Sequence, residues 1–130
     1  MAHSVVITNV GRAEFCGLAG NVDSRTAFTY IAYGDSSTNP QATQTDLQGT
    51  ESQRAAATVS LVKRTVSNDT LRLTKTFTIS SSETVAECGI FNGATNGGSP
   101  DVCGARAVLS PTRSLLANDT WTPIIDVKFG

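Results

Sequence analysis

Alternation of apolar and polar side chains is clearest in Leu71-Arg72-Leu73-Thr74-Lys75-Thr76-Phe77-Thr78-Ile79. Leu71, Leu73, Phe77 and Ile79 share one parity, and Arg72, Thr74, Thr76 and Thr78 the other. A period of two gives a β-strand one apolar face. Lys75 interrupts the apolar row. Residues 55–66 read as a partner strand, with Ser67-Asn68-Asp69 as the turn between the two. A two-residue loop would set Arg64 opposite Leu73 and Ser60 opposite Phe77. A three-residue loop pairs Leu61 with Lys75, Val59 with Phe77 and Ala57 with Ile79, keeping the apolar rows together. The second register is preferred, with Asn68 or Asp69 left-handed. It places Arg64 against Arg72, at a cost of a few tenths to about 1 kcal/mol, which an anion or a partner's carboxylate would relieve. Lys75 then lies on the apolar row. Either its stem covers core and its ammonium reaches water, or the row opens onto a subunit interface where Lys75 meets an acid such as Glu87.

The remaining pattern is also strand-like. Residues 5–7 suit a strand or an anchored arm. Thr8 or Asn9 caps a short helix over 12–18, with Ala13, Cys16 and Leu18 on its buried side and Gly17 and Gly20 at its end. Residues 27–34 carry Phe28, Tyr30 and Ala32 on one face and Ile31 and Tyr33 on the other, which predicts a central strand covered on both sides. Residues 35–53 form a long polar loop, with a single helical turn at Thr45-Asp46-Leu47 and Leu47 tucked into the body. Loops of that length are usually functional or mobile. Strands follow at 84–92 and 102–109, joined across 93–101, and Gly89 predicts a bulge or a close backbone approach. Pro111 marks a break, and Leu115 and Leu116 lie in an extended crossing. Residues 121–129 close the chain as a strand, with Pro123 at an edge or strand start. Ser67-Asn68-Asp69-Thr70 and Ala117-Asn118-Asp119-Thr120 resemble each other. Both are formal glycosylation sequons, but two turns built from the same residues is the better reading.

The expected fold is mainly β: a small antiparallel β-sandwich or barrel with one short N-terminal helix and long polar loops. The 130 residues make a single domain, 1–130, with 1–8 as an N-terminal arm. Charge excludes one class of function. Ten Lys and Arg nearly balance 11 Asp and Glu, and no basic run exists, so the footprint of a nucleic-acid binder is missing. The first residues lack the basic flank and apolar run of a signal peptide, and no stretch is long enough for a membrane helix. A soluble protein made without secretion is expected.

Candidate chemistry is sparse. The odd cysteine count argues for free thiols at Cys16, Cys88 and Cys103, each a small buried hydrophobe, with a Cys88–Cys103 bridge as the alternative. His3 is the sole histidine and is poorly placed for a nucleophile pair. The cysteines lack the close spacing of a zinc site. Glu83 and Glu87 lie four residues apart, too far for a retaining glycosidase pair. Glu87 is expected to be partly buried, with Arg106 on the neighbouring strand as its ion-pair partner. Tyr30, Tyr33 and Trp121 read as core before they read as a sugar platform. No catalytic, cofactor-binding or metal residues are assigned, and no cofactor is expected.

An ordered series of short motifs runs from Thr8 almost to the end: Thr8-Asn9-Val10-Gly11-Arg12, then Phe28-Thr29-Tyr30-Ile31-Ala32-Tyr33-Gly34-Asp35, Thr45-Asp46-Leu47 and Arg54-Ala55-Ala56. Asn68-Asp69-Thr70-Leu71, Lys75-Thr76-Phe77-Thr78, Glu87-Cys88-Gly89-Ile90-Phe91-Asn92 and Asn118-Asp119-Thr120-Trp121-Thr122 complete it. This series resembles the tailed-phage capsid decoration, or cement, proteins of β-tulip type, which are related to tail-fibre-like structural proteins. Gly34-Asp35-Ser36 departs from the Gly-Thr-Gly turn usual in that family. The resemblance implies a non-enzymatic virion protein on the outer capsid surface, assembled in the host cytoplasm. It further implies a homotrimer that binds the major capsid protein, with no nucleic acid or membrane partner. The arm 1–8 and the loop 35–53 are the expected contact segments. Two competing readings are a tail-fibre or tail-tip module that binds a host glycan, and a small hydrolase with Cys16 as nucleophile.

Overall fold

The computed structural model describes residues 4–94 and 101–129. Its elements are β1 (Ser4–Ile7), α1 (Asn9–Gly20), β2 (Tyr30–Gly34), β3 (Glu51–Ala56), β4 (Thr58–Val62) and β5 (Thr70–Thr74). They continue with β6 (Phe77–Thr78), β7 (Glu83–Phe91), β8 (Cys103–Leu115), β9 (Thr120–Trp121) and β10 (Ile124–Lys128). All pairings are antiparallel. One sheet has the order β1-β8-β7-β2-β3, a second has β10-β5-β4, and β6 pairs with β9. The mainly β, sandwich-like architecture with one short helix and long polar loops is as expected.

The single strand expected over 71–79 is two short strands, β5 and β6, in different sheets, and only the second lacks the expected partner. Thr74 pairs with Ile124 and Phe77 with Trp121, so the same register runs through both pairings. The ladder is interrupted where Lys75 meets Pro123, which has no N–H to give. Lys75 therefore faces Pro123, and its own N–H reaches the Pro123 carbonyl at 3.4 Å. Only the first half of the strand pairs with the preceding hairpin arm. There Val59 faces Leu73 and Leu61 faces Leu71. The expected parity is kept, but the turn spans residues 63–69 instead of three residues. The reason is Asp69, whose carboxylate accepts the N–H groups of Arg64, Thr65 and Val66 at 2.8, 2.8 and 3.0 Å. Asn68 is left-handed, with φ 64°. Arg64 does not face Arg72; both bind Asp126 on β10, which supplies the carboxylate that the expected clash called for.

Residues 55–66 form two strands, not one. The chain bends at Ala57, whose N–H is taken by the Thr29 carbonyl at 2.8 Å. It thus passes from the edge of the larger sheet to the edge of the smaller. The second Asn-Asp turn repeats the first: Asn118 is left-handed, with φ 71°, and Asp119 accepts the Leu116 N–H at 2.8 Å. Pro111 does not end its strand, because β8 continues through a register shift to Leu115, which pairs with Glu83 and is buried.

Between the sheets lies a core of Ile31, Tyr33, Leu73, Phe77, Ile79, Val85, Ile90, Trp121, Ile125 and Val127. Helix α1 is longer than the expected 12–18, and its buried side differs. Thr8 caps it, its hydroxyl accepting from Gly11 N at 2.9 Å, and left-handed Asn21 closes it. Gly11 lies so close to Gly104 on β8 that a Cβ would overlap the Gly104 carbonyl. That contact turns positions 11, 14, 15 and 18 toward the body. Gly11 and Glu14 are buried, whereas Ala13 and Cys16 are exposed.

Candidate functional site

Strand β2 was expected to be covered on both sides. One cover is the second sheet. The other is the loop over 35–50, which folds back on the outer face of the larger sheet. Leu47 anchors it, packing with Ala32, Phe91 and Cys103, and half-buried Tyr30 lies against the same cluster. The expected helical turn at Thr45-Asp46-Leu47 does not form. Leu47 reaches the sheet from irregular backbone.

A buried ion pair holds the rest of this roof. Glu87 on β7 and Arg106 on β8 are diagonal neighbours, Glu87 facing Val108 and Arg106 facing Gly89, with side chains 0% exposed, and Arg106 Nε meets Glu87 Oε1 at 2.8 Å. Both groups use their remaining capacity on the loop. Glu87 Oε2 accepts the Ser36 and Gly49 N–H groups at 3.1 and 2.8 Å, and Oε1 accepts that of Gln48 at 2.8 Å. Arg106 donates from Nη1 to the Thr38 carbonyl at 2.7 Å and to Gln44 Oε1 at 3.3 Å, and from Nη2 to the Ser36 carbonyl at 3.2 Å. A buried charge is tolerable when paired and fully hydrogen-bonded, and here the backbone polar groups of an irregular loop complete the set. A Cβ at Gly49 would meet Asp35, Ser36 and the Glu87 carboxylate, so the loop closes this tightly only with glycine there. At its far end the loop is tied to the helix start, with Asn9 N donating to the Ala42 carbonyl at 2.7 Å.

Two further clamps flank the roof. Arg54 on β3 lies 3.8 Å above the Phe91 ring, donates to both Glu51 oxygens at 3.0 and 2.8 Å, and reaches Asp101 at 3.2 Å. Buried Glu14 on α1 accepts from Arg25 at 2.7 Å, from Thr26 N at 3.3 Å and from Asn92 Nδ2 at 3.2 Å. What the roof presents outward is polar and largely uncharged: Ser37, Thr38, Asn39, Gln41, Thr43, Thr45 and Gln48 are exposed, with Asp35 the exposed charge among them.

The sequence candidates disperse. His3 lies outside the described residues. Cys16 is exposed on α1, against expectation, and no described side chain hydrogen-bonds its thiol. Cys88 and Cys103 are free and buried, and burial pushes both thiols up to about 12. They fall in separate apolar clusters on opposite faces of the sheet, which explains why they do not bridge. Glu83 accepts from the Ser52 hydroxyl at 2.9 and 2.7 Å beside a cleft of about 420 Å³ that Tyr33 and Asp35 also line. Glu87 has no share in that cleft. Tyr33 is buried in an aromatic cluster with Phe77 and Trp121, and its hydroxyl accepts from Gln53 at 2.6 Å. Loss of hydration raises its pKa. An apolar cleft of about 220 Å³ opens between β1 and β10, with Val5, Leu109 and Ile124 in its lining. Among the described residues no group of three or more His, Cys, Asp or Glu is placed to hold a metal ion, and no helix is long and apolar enough to cross a membrane.

Fold and site together define an antiparallel β-sandwich with one outer face roofed by an ion-pair-anchored loop. Set against family models, curated proteins and solved structures, the chain matches none significantly.

Proposed function

We propose that this protein is a non-enzymatic phage virion component that decorates and stabilises a capsid by binding the major capsid protein lattice. The observation that supports this most is the roof. Its backbone is held from below by Glu87 and Arg106, so the main chain that carries its outward Ser, Thr, Asn and Gln side chains is fixed before any partner arrives. Ordering in advance removes an entropic cost of association, and an uncharged polar surface suits contact with protein. Burial of Tyr33 counts against the glycan-binding reading, which called for an exposed aromatic cleft, while Tyr30 remains half-buried. Outer-surface location and three-fold assembly rest on the family resemblance alone.

The test is reconstitution. Capsids assembled without the protein are incubated with the wild type or with a roof variant such as Thr43→Arg, then challenged by heat and osmotic shock. Binding with raised resistance is expected for the wild type, and reduced binding for the variant. If naked capsids neither bind the protein nor gain resistance, the proposal fails.

A further inference from the structure

Strand β4 is an edge strand with two unmet requirements. Among the described residues its outward backbone has no strand neighbour, since β4 ends the order β10-β5-β4. Its apolar side chains also lack cover. Residues directly opposite in an antiparallel pair share a face, so the register sets two inward rows, Ile125-Leu73-Val59 and Val127-Leu71-Leu61. Exposure along the first is 5%, 0% and then 40%. Along the second it runs from 2% at Val127, through half-buried Leu71, to 58% at Leu61. Both rows begin as core and run out past the covering sheet. Edge strands are normally protected by charge, proline or a bulge. Strand β10 follows Pro123 and carries Asp126 and Lys128, and β3 carries Glu51 and Arg54. Neither β1 nor Thr58-Val59-Ser60-Leu61-Val62 has any of these devices, but β1 exposes one apolar side chain, Val5, and β4 exposes two, Val59 and Leu61.

We propose that β4 is the self-association surface of this protein, pairing antiparallel with β4 of a second copy about a two-fold axis at Ser60. The occupant follows from the sequence of the strand itself. With Ser60 opposite Ser60 of the second copy, Val59 faces the second copy's Leu61 and Leu61 its Val59. Each inward row then runs on unbroken into the second molecule, and the two three-stranded sheets become one of six strands. An isologous contact of this kind closes at two copies. Lys63 and Arg64, just beyond the strand end, fall at opposite ends of the paired strands, so like charges are kept apart. The inference is independent of the decoration reading, and it sets a two-fold contact against the three-fold assembly implied by the resemblance.

Sedimentation velocity over a concentration series up to about 1 mM tests it. The wild type should show a reversible monomer–dimer equilibrium. Leu61→Lys should weaken association at least tenfold while its circular dichroism and melting temperature stay those of the wild-type monomer, because the side chain is already largely in water. In a Cys16→Ser background, Ser60→Cys should form a disulfide dimer on mild oxidation, and Ser37→Cys on the roof should not. A wild type that stays monomeric throughout, a trimer indifferent to Leu61→Lys, or Ser60→Cys cross-linking no faster than Ser37→Cys would each overturn the proposal.

Discussion

Replacing Glu87 by Gln changes one oxygen into an amide and nothing in size. Each carboxylate oxygen accepts two N–H groups: Gln48 N and Arg106 Nε on Oε1, Ser36 N and Gly49 N on Oε2. Whichever oxygen becomes NH2, two donors face a donor. Each orphaned N–H costs about 1–3 kcal/mol, and the Arg106 cation is left buried without its counter-charge, a change worth about 3–5 kcal/mol. The effects overlap, so about 3–5 kcal/mol in total is expected, a large share of the roughly 5–15 kcal/mol that holds a domain together. In urea, at about 2 kcal/mol per molar, the midpoint should fall by about 2 M. Amide exchange at Ser36, Gln48 and Gly49 should accelerate with it. The double replacement Glu87→Leu with Arg106→Met separates the two causes. It removes both charges, so global stability should recover relative to Glu87→Gln, yet the roof amides should remain unprotected. If Glu87→Gln costs less than about 1 kcal/mol and the roof amides stay protected, the roof is not held by this pair.

Leu47→Ala should cost about 2–3 kcal/mol, toward the low end for a buried leucine, because the loop can detach without unfolding the sandwich; faster exchange confined to residues 35–50 checks this. In native protein one thiol, Cys16, should react with a disulfide reagent at pH 8, and all three in denaturant, since burial holds Cys88 and Cys103 at about 12. The Asp69 carboxylate is held well below the usual range, first by the Val66 N–H and then by those of Thr65 and Arg64. A depressed folded pKa means stabilisation that is present above the unfolded value and lost as pH falls through the folded one. The 63–69 turn should therefore stay ordered at pH 3 by amide exchange, and Asp69→Asn should loosen it at pH 7. A titration midpoint for Asp69 near 4 would refute that account.

Strand positions were legible because side-chain alternation is a local property: every inward residue from Leu71 to Ile79 and from Trp121 to Val127 keeps its expected parity. Partners were less legible. The hairpin register failed because turn length was read from backbone rules, while a side chain, Asp69, caps three N–H groups and sustains a longer turn. The helix phase failed because it is set by contact between Gly11 and Gly104, residues with no hydrophobic signal of their own. The Glu87–Arg106 pair could be read from strand parity and adjacency. Its capture of the roof could not, since Ser36, Thr38, Gln48 and Gly49 take part only through main-chain N–H and C=O groups, which no residue type advertises. Leu47, alone in a polar stretch, was the one sequence sign that the loop turns inward.

The roof and the β4 edge belong to different sheets, so the proposed self-association and the proposed lattice contact can be perturbed separately. A dimer through β4 carries two roofs. If both reach capsid sites, the second binding event is intramolecular, and apparent affinity exceeds that of one roof by about 10²–10⁴. Leu61→Lys, which leaves the roof untouched, should then weaken capsid binding by that factor when measured on intact particles, and leave it unchanged on an isolated capsomer offering one site. Thr43→Arg should weaken both, and more so on intact particles, where the loss at each of two roofs counts. Loss of binding to the isolated capsomer on Leu61→Lys would mean that β4 itself touches the lattice. Equal binding of Leu61→Lys and wild type to intact capsids would mean that each roof acts alone.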